Sequence, residues 1–425
     1  MPGPETLKVQ TTVIGSGLAG MAAALFGVQN SMQTALVGGT GASAFSSGLL
    51  DLLGVLPTEP PRICSDPWEA IDRLADICPG HPYTLMHPED IDQALTRFVA
   101  ELENQGLYYA GEDRSNVLAI GPVGTRKPTY LLPWSMMTGV REMAKGSPGM
   151  IVDINGLKDF SASLVASNLK PVWPDLRTAN LTFPGTESRA EVFTALLAQS
   201  LESPEVREQL IHSLQALTKD VQVLGLPAVL GLGSAQAIHQ ELESRLQVKI
   251  FEIPTLPASV PALRLHEAVK RCIEQSSLLH SFDQYQVTSV HRDDQGWFHV
   301  RAQGPMHTCL LKSRTVLLAT GRFLGQGLQA DRKGIRESVF DLPVHQPAQR
   351  AQWHREDFFH PQGHPISGAG LEVDEFFRPI DAQGKTVYAN LYAAGSILAH
   401  QDWMRMKCGA GVAIASAYKA ISSIQ

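Results

Sequence analysis

The hydrophobic pattern is clearest at the start of the chain. Val9–Ile14 is a β-branched apolar run, Leu18–Gln29 is Ala-rich at helical spacing, and Thr34–Val37 is a second short apolar run, which together predict a βαβ unit. Further along, the pattern predicts a helix near Asp90–Gln105 and a helical stretch over Glu187–Leu217, broken at Ser203-Pro204. A strand-helix-strand unit follows across Val221–Leu230, Ser234–Leu246 and Val248–Ile253. A helix near Leu265–Leu279 precedes strands at Gln286–Val290, Trp297–Val300 and Cys309–Leu311. Thr315-Val-Leu-Leu-Ala-Thr-Gly321 and Tyr388–Gly395 read as buried strands ending in glycine, and Gly411–Ile424 reads as a closing Ala-rich helix. From Pro57 to Pro88 repeated prolines among acidic residues suggest a chain leaving its first domain.

Val9–Leu50 contains no Asp, Glu, Lys or Arg. Polar residues interrupt it too often for a membrane span, and the absence of charge suits strands covered on both faces. Met1–Gln10 has no positive start or cleavage site of a leader, so a cytoplasmic protein is expected. The 425 residues carry 35 Lys+Arg against 42 Asp+Glu, a net of -7, which provides no broad basic footprint for nucleic acid. The five cysteines show no CxxC spacing, so no disulfide framework, iron-sulfur site or metal site is signalled in this chain. His360 and His364 have the i, i+4 spacing of a metal pair, but Pro361 and Pro365 speak against the helix that would present both.

Gly15-Ser-Gly17-Leu-Ala-Gly20 fits GxGxxG. With 36 glycines in the chain, chance alone gives about 0.25 matches, so the weight lies in context: the glycines leave a strand and open a helix, whose N-terminus favours a phosphate. A dinucleotide site also needs an acid at the end of the second strand for the adenosine ribose. That place reads Val37-Gly38-Gly39, and the next acid is Asp51. FMN, which has no adenosine ribose, is therefore expected in preference to FAD. Ser46, Ser47 and Gly48 lie on a loop expected beside the cofactor, with small side chains that permit close approach.

Phe45-Ser-Ser-Gly-x-Leu-Asp-Leu-Leu53, Ala319-Thr320-Gly321 and Asn390-Leu-Tyr-Ala-Ala-Gly395, taken with the glycine motif, resemble the flavoprotein group of fumarate reductases and glycerol-3-phosphate dehydrogenases. His81-Pro-Tyr83, Gly124-Thr125, Pro254-Thr-Leu-Pro257 with Ser259 and Arg264, Arg332-x-Gly-Ile-Arg-Glu337, Asp357-Phe-Phe359 and Cys408-Gly-x-Gly-Val412 narrow it. Together they resemble the B subunits of anaerobic glycerol-3-phosphate dehydrogenases, over about residues 9–420. One loop departs: where the family reads glycines and then Asp-Pro, this chain has Ala399-His-Gln-Asp-Trp-Met-Arg-Met-Lys407.

The resemblance implies an α/β fold, a Rossmann-like flavin-binding domain with an inserted α+β cap domain. Residues 1–57 and 261–425 would form the flavin domain and 58–260 the insertion. It implies an FMN-associated chain with two partners. One is a FAD-bearing catalytic subunit; the other is an iron-sulfur, membrane-anchoring subunit that holds the complex peripherally on the inner membrane. Such a complex oxidises sn-glycerol 3-phosphate to dihydroxyacetone phosphate and passes electrons to quinone, with fumarate or nitrate as final acceptor. The expected cofactor residues are Gly15, Gly17, Gly20, Ser46, Ser47, Gly48, Thr320, Gly321 and Gly395. Arg264, Arg336 and His364 are the candidates for substrate chemistry, as phosphate-binding cations and a base. Two other readings are a self-sufficient flavin oxidoreductase of a small hydroxy or dicarboxylic acid, and a structural subunit without redox chemistry.

Overall fold

Strands covered on both faces carry apolar runs, and the chain places such runs at both of its ends. A computed structural model describes residues 6–39 and 42–424. In chain order the elements used below are β1 (Thr6–Ile14), α1 (Leu18–Gln29), β2 (Thr34–Gly38), α2 (Pro88–Asn104), α3 (Trp134–Lys145), β3 (Gly149–Ile154), β4 (Leu176–Leu181), β5 (Val223–Pro227), α4 (Ala235–Leu246) and β6 (Lys249–Ile253). They continue with α5 (Val260–Glu274), β7 (Leu279–Asp283), β8 (Gln286–Arg292), β9 (Phe298–Gln303), β10 (Thr308–Leu318), β11 (Leu391–Ala393) and α6 (Gly409–Ser422). Contacts divide the chain into one unit of residues 1–42, 51–105 and 268–425 and a second of 43–50 and 106–267.

The first unit is built on a sheet ordered β7-β2-β1-β10-β9-β8, with β11 also pairing β10. β1 runs parallel to β2, with Ile14 opposite Val37, and parallel to β10, with Ile14 opposite Leu318. The expected βαβ is therefore present, and its other neighbour comes from about 300 residues further along. α1 is buried continuously from Ala19 to Gly27, because α6 packs on it and Phe26 meets Tyr418 edge to face at 5.2 Å. A helix enclosed in this way has no face for charge, which accounts for the middle of the uncharged run.

Two expectations shift. Cys309–Leu311 and Thr315–Leu318, expected as separate strands, are parts of one continuous strand, β10, in which Lys312 pairs across to His299 in the antiparallel ladder with β9. The boundary expected at residue 58 falls within the first unit. α2 packs on α6, where Tyr418 Oη donates to Gln93 at 2.6 Å and Lys419 Nζ to Asp90 at 2.8 Å.

The second unit centres on a parallel sheet ordered β4-β3-β5-β6, joined by small antiparallel pairs at Tyr109–Ala110 with Leu132–Pro133 and Val117–Ile120 with Arg126–Thr129. Phe251, on the edge strand β6, is fully buried in the core of this unit and stacks on Trp173 at 5.9 Å. Gly139 of α3 and Gly225 of β5 both lie against the Phe251 ring, where any β-carbon would intrude. The predicted strand-helix-strand at Val221–Ile253 is β5-α4-β6.

Candidate functional site

The first unit holds a cradle at the tip of β1. Gly15 has φ +113°, which favours glycine, and a β-carbon there would strike the backbone of Ala319. A β-carbon on Gly20 would strike the carbonyl of Gly15, so the third glycine lets α1 approach the turn. Gly17 caps α1 with no side-chain hydrogen bond, no acid lies in the first turn, and a β-carbon there meets nothing within 4 Å. The helix start therefore faces open space with its dipole uncompensated by any side chain, the arrangement that suits a phosphate. Thr320 Oγ1, next along from Ala319, is buried with no hydrogen-bond partner among the described residues. These features fit a flavin phosphate and its neighbouring polar groups.

Gly395 completes this cluster: a β-carbon there would meet Ala19 Cβ at 2.5 Å, and its N–H donates to Ser416 Oγ of α6 at 2.9 Å. Gly321 follows Thr320 at φ +68°. Thus Gly15, Gly17, Gly20, Thr320, Gly321 and Gly395 come together. The end of β2 carries no acid. Gly38 lies against Ser16, whose hydroxyl donates to the carbonyl of Gly39, and a β-carbon on Gly39 meets nothing within 4 Å.

Three residues that the motifs did not single out for this cluster support it. Ser416 holds Gly395, Gln401 Nε2 donates to the Gly395 carbonyl at 3.0 Å, and Arg322 donates to the carbonyls of Ser367, Leu398 (3.0 Å) and Gln401 (2.8 Å). Burial first of all pulls the Arg322 guanidinium down to about 10. Only Arg322 had a sequence signal, its position directly after Gly321.

Ser46, Ser47 and Gly48 belong to the second unit, contrary to the boundary expected from sequence. Leu50 exchanges backbone hydrogen bonds with Leu131 at 2.9 and 3.1 Å, and Tyr109 Oη donates to the Gly48 carbonyl at 2.8 Å. The Ser46 and Ser47 hydroxyls accept from the N–H groups of Gly48 and Leu49. Gly48, at φ +72°, lies against Pro261 and Ala262, where a side chain would not fit.

The candidates for substrate chemistry are engaged elsewhere. Arg264, only 4% exposed, donates to both oxygens of Glu252 at 2.6 and 2.9 Å and to the Gly231 carbonyl at 2.8 Å. It is a buried structural cation, and its fork is spent before any substrate arrives. Arg336 lies exposed on the Ile335–Glu337 strand and donates to Gln329 at 3.3 Å. His364 accepts from the Arg355 N–H through Nδ1 at 3.1 Å and has Nε2 3.1 Å from the Phe358 carbonyl, so both ring nitrogens hold a loop together. Cys408, at the start of α6, is fully buried, and burial drives its thiol far up and away from reactivity.

Other family-like motifs meet around Cys408. Its Sγ lies 3.8 Å from His81 Nε2, Tyr83 Oη donates to the Leu52 carbonyl at 2.9 Å, and the Gly411 N–H donates to the Asp51 carbonyl at 2.7 Å. Burial, followed by repulsion from His400, lowers His81 to about 3. In the unfolded chain a histidine titrates near 6.5, so the unfolded state takes up the proton first. The stability from keeping His81 neutral is therefore complete above that pH and declines as pH falls towards about 3, by about 1.4 kcal/mol per pH unit. The expected result is that H81Q loses less stability than the parent between about pH 6.5 and 4 in urea titrations. Identical acid slopes would remove His81 as the source.

Among the described residues no helix is long and apolar enough to cross a membrane. A broad hollow of about 670 Å³ beside Arg355, Glu356, Asp357 and His360 is lined by surface side chains. A smaller cavity of about 200 Å³ lies among Pro82, Leu371, Glu372 and His400.

The FAD binding domain family matches residues 11–412 of the chain. The B subunit of the anaerobic glycerol-3-phosphate dehydrogenase of Vibrio vulnificus (strain CMCP6) is 31% identical over 427 residues, covering 98% of this chain and 96% of its own. That of Pectobacterium atrosepticum is 32% identical over 419 residues, covering 97% of each. Among solved structures, a 3-ketosteroid delta1-dehydrogenase from Sterolibacterium denitrificans superposes with a TM-score of 0.42 at 12% identity, covering 98% of this chain and 99% of that one, a likeness too loose to bear on function. With its glycine cradle at the tip of β1 and end-to-end similarity to these relatives, the chain belongs to the FAD binding domain flavoproteins and, among them, to the family of B subunits of anaerobic glycerol-3-phosphate dehydrogenases.

Proposed function

We propose that this chain is the FMN-carrying subunit of a respiratory, membrane-associated glycerol-3-phosphate dehydrogenase. In this reading it relays electrons from a FAD-bearing catalytic subunit to an iron-sulfur subunit, which anchors the complex on the cytoplasmic side of the membrane and delivers them to quinone. The observation that carries the reading is a phosphate cradle at the start of α1 with no acid at the end of β2. A bound flavin takes up and releases electrons singly or in pairs, which is the chemistry a relay requires. The chain's own residues would hold the phosphate at Gly17, offer Thr320 Oγ1 as a polar contact, and keep the neighbouring loops in place through Arg322. Oxidising a secondary alcohol calls in addition for a base and phosphate-binding cations. Arg264 and His364 are occupied by protein partners and Arg336 is an exposed side chain beside Gln329, which favours substrate oxidation on another subunit.

Flavin released by heat from the purified complex and traced to this chain is expected to be FMN, with fluorescence unchanged by phosphodiesterase. A fluorescence rise on phosphodiesterase treatment would identify FAD and overturn the FMN assignment. Turnover of glycerol 3-phosphate by the isolated chain with an artificial acceptor would overturn the relay.

A further inference from the structure

Three stretches of the first unit that are distant in sequence are tied by backbone hydrogen bonds. His345 N–H donates to the Gly370 carbonyl at 2.8 Å and Gly370 N–H returns to His345 at 3.1 Å, while Ala399 N–H donates to Leu371 at 2.9 Å and His400 N–H to Gly368 at 2.9 Å. This ladder gathers the side chains of His345, Glu372 and His400. His400 Nε2 lies 2.7 Å and His345 Nδ1 3.5 Å from Glu372 Oε1, the two rings are 4.1 Å apart, and all three donor atoms lie within 4.8 Å of one another.

The His400 ring is held from behind. Gly80 lies flat against it, so that a β-carbon there would reach the ring at 2.5 Å, and Cys78 Sγ donates to the His400 carbonyl at 3.2 Å. His400 also has φ +59°, a left-handed conformation that favours glycine over a residue with a side chain. The fold therefore accepts a local penalty in placing an imidazole here.

We propose that His345, Glu372 and His400 form a binding site for one divalent first-row transition ion, Zn²⁺ being the probe, through His345 Nδ1, His400 Nε2 and the Glu372 carboxylate. Two imidazole nitrogens and one carboxylate suit Zn²⁺, Co²⁺ or Ni²⁺, whereas Mg²⁺ and Ca²⁺ select oxygen-only sets. Tetrahedral ligands about 2.0–2.1 Å from zinc stand about 3.3 Å from one another, a spacing these side chains reach by small rotations. Glu372 and His400 also line the cavity of about 200 Å³, which leaves room for water at the fourth position. The ligands lie 27 and 28 residues apart in the chain, so no local spacing announces the site.

The test uses the full-length, flavin-loaded protein stripped of metal, titrated with ZnCl₂ by calorimetry and with CoCl₂ by visible absorbance. One equivalent is expected to bind below about 10 μM, and H345A, E372Q and H400G should each weaken it at least about tenfold. H400G relieves the backbone and is expected to fold at least as well as the parent. Zinc should raise the thermal midpoint of the parent and not that of H400G. No binding by the parent at about 100 μM Zn²⁺, or binding that survives all three substitutions and so belongs to other groups such as the free cysteines, overturns the proposal.

Discussion

G17A should fold as well as the parent and still lose its flavin. The Gly17 backbone, at φ -73°, accepts alanine, and the new methyl meets nothing within 4 Å in the protein alone. Its effect falls on the space in front of α1, where the phosphate is expected, so the flavin-to-protein ratio should drop about tenfold or more while stability stays within about 1 kcal/mol of the parent. G20A should fail on both counts. Helix propensity alone favours alanine there by about 1 kcal/mol, but its β-carbon would overlap the Gly15 carbonyl, which is backbone and cannot rotate away. Overpacking of this kind costs about 1–3 kcal/mol, and relief requires α1 to retreat from the turn. Measuring flavin content and unfolding midpoint side by side separates the two variants. A G17A protein with full flavin content would move the phosphate away from this helix.

Removing Arg264 should produce the largest loss of stability in the second unit. Glu252 is fully buried and accepts from Arg264 twice, from Ser135 Oγ at 2.7 Å and from the Leu230 N–H at 2.9 Å. Burial opposes its charge, yet the neighbouring guanidinium and these donors hold the carboxyl below its usual range. R264M strands that carboxylate and should cost about 3–5 kcal/mol, whereas R264M/E252M, which removes both charges, should recover much of the loss. Because the folded carboxyl is depressed, its contribution is present above the unfolded value near 4.5 and is lost as pH falls below it. R264M should reverse that dependence, becoming more stable relative to the parent in acid. Denaturant titrations from about pH 4 to 7 provide the check. A double variant worse than the single one would show that the pair is net stabilising in its own right.

How far the sequence reveals this fold follows from the range of the forces involved. The β1-α1-β2 unit is readable because its elements are adjacent and its glycines act locally. The destination of Ser46, Ser47 and Gly48 is not, since the Leu50–Leu131 bridge and the Tyr109 hydroxyl that hold them lie far along the chain. Arg264 reads as a free cation because its partner Glu252 lies on β6 while Arg264 is on α5, and only the packing of the two elements brings the charges together. The placement of α2 with the first unit likewise depends on Tyr418 and Lys419, over 300 residues away. Asp51, His81 and Cys408 are visible in sequence only as members of separate motifs, with no hint that they meet.

The strand order of the first unit also has a temporal consequence during synthesis. β1 leaves the ribosome first, yet its partner β10 and the Ala319–Thr320 wall of the glycine cradle emerge about 300 residues later, an interval of about 15–60 s at ordinary translation rates. During that time the whole of the second unit, which ends at Glu267, has already emerged. The nascent βαβ segment must therefore wait as an open-edged fragment, and flavin capture must wait with it until the second wall of the cradle has been made.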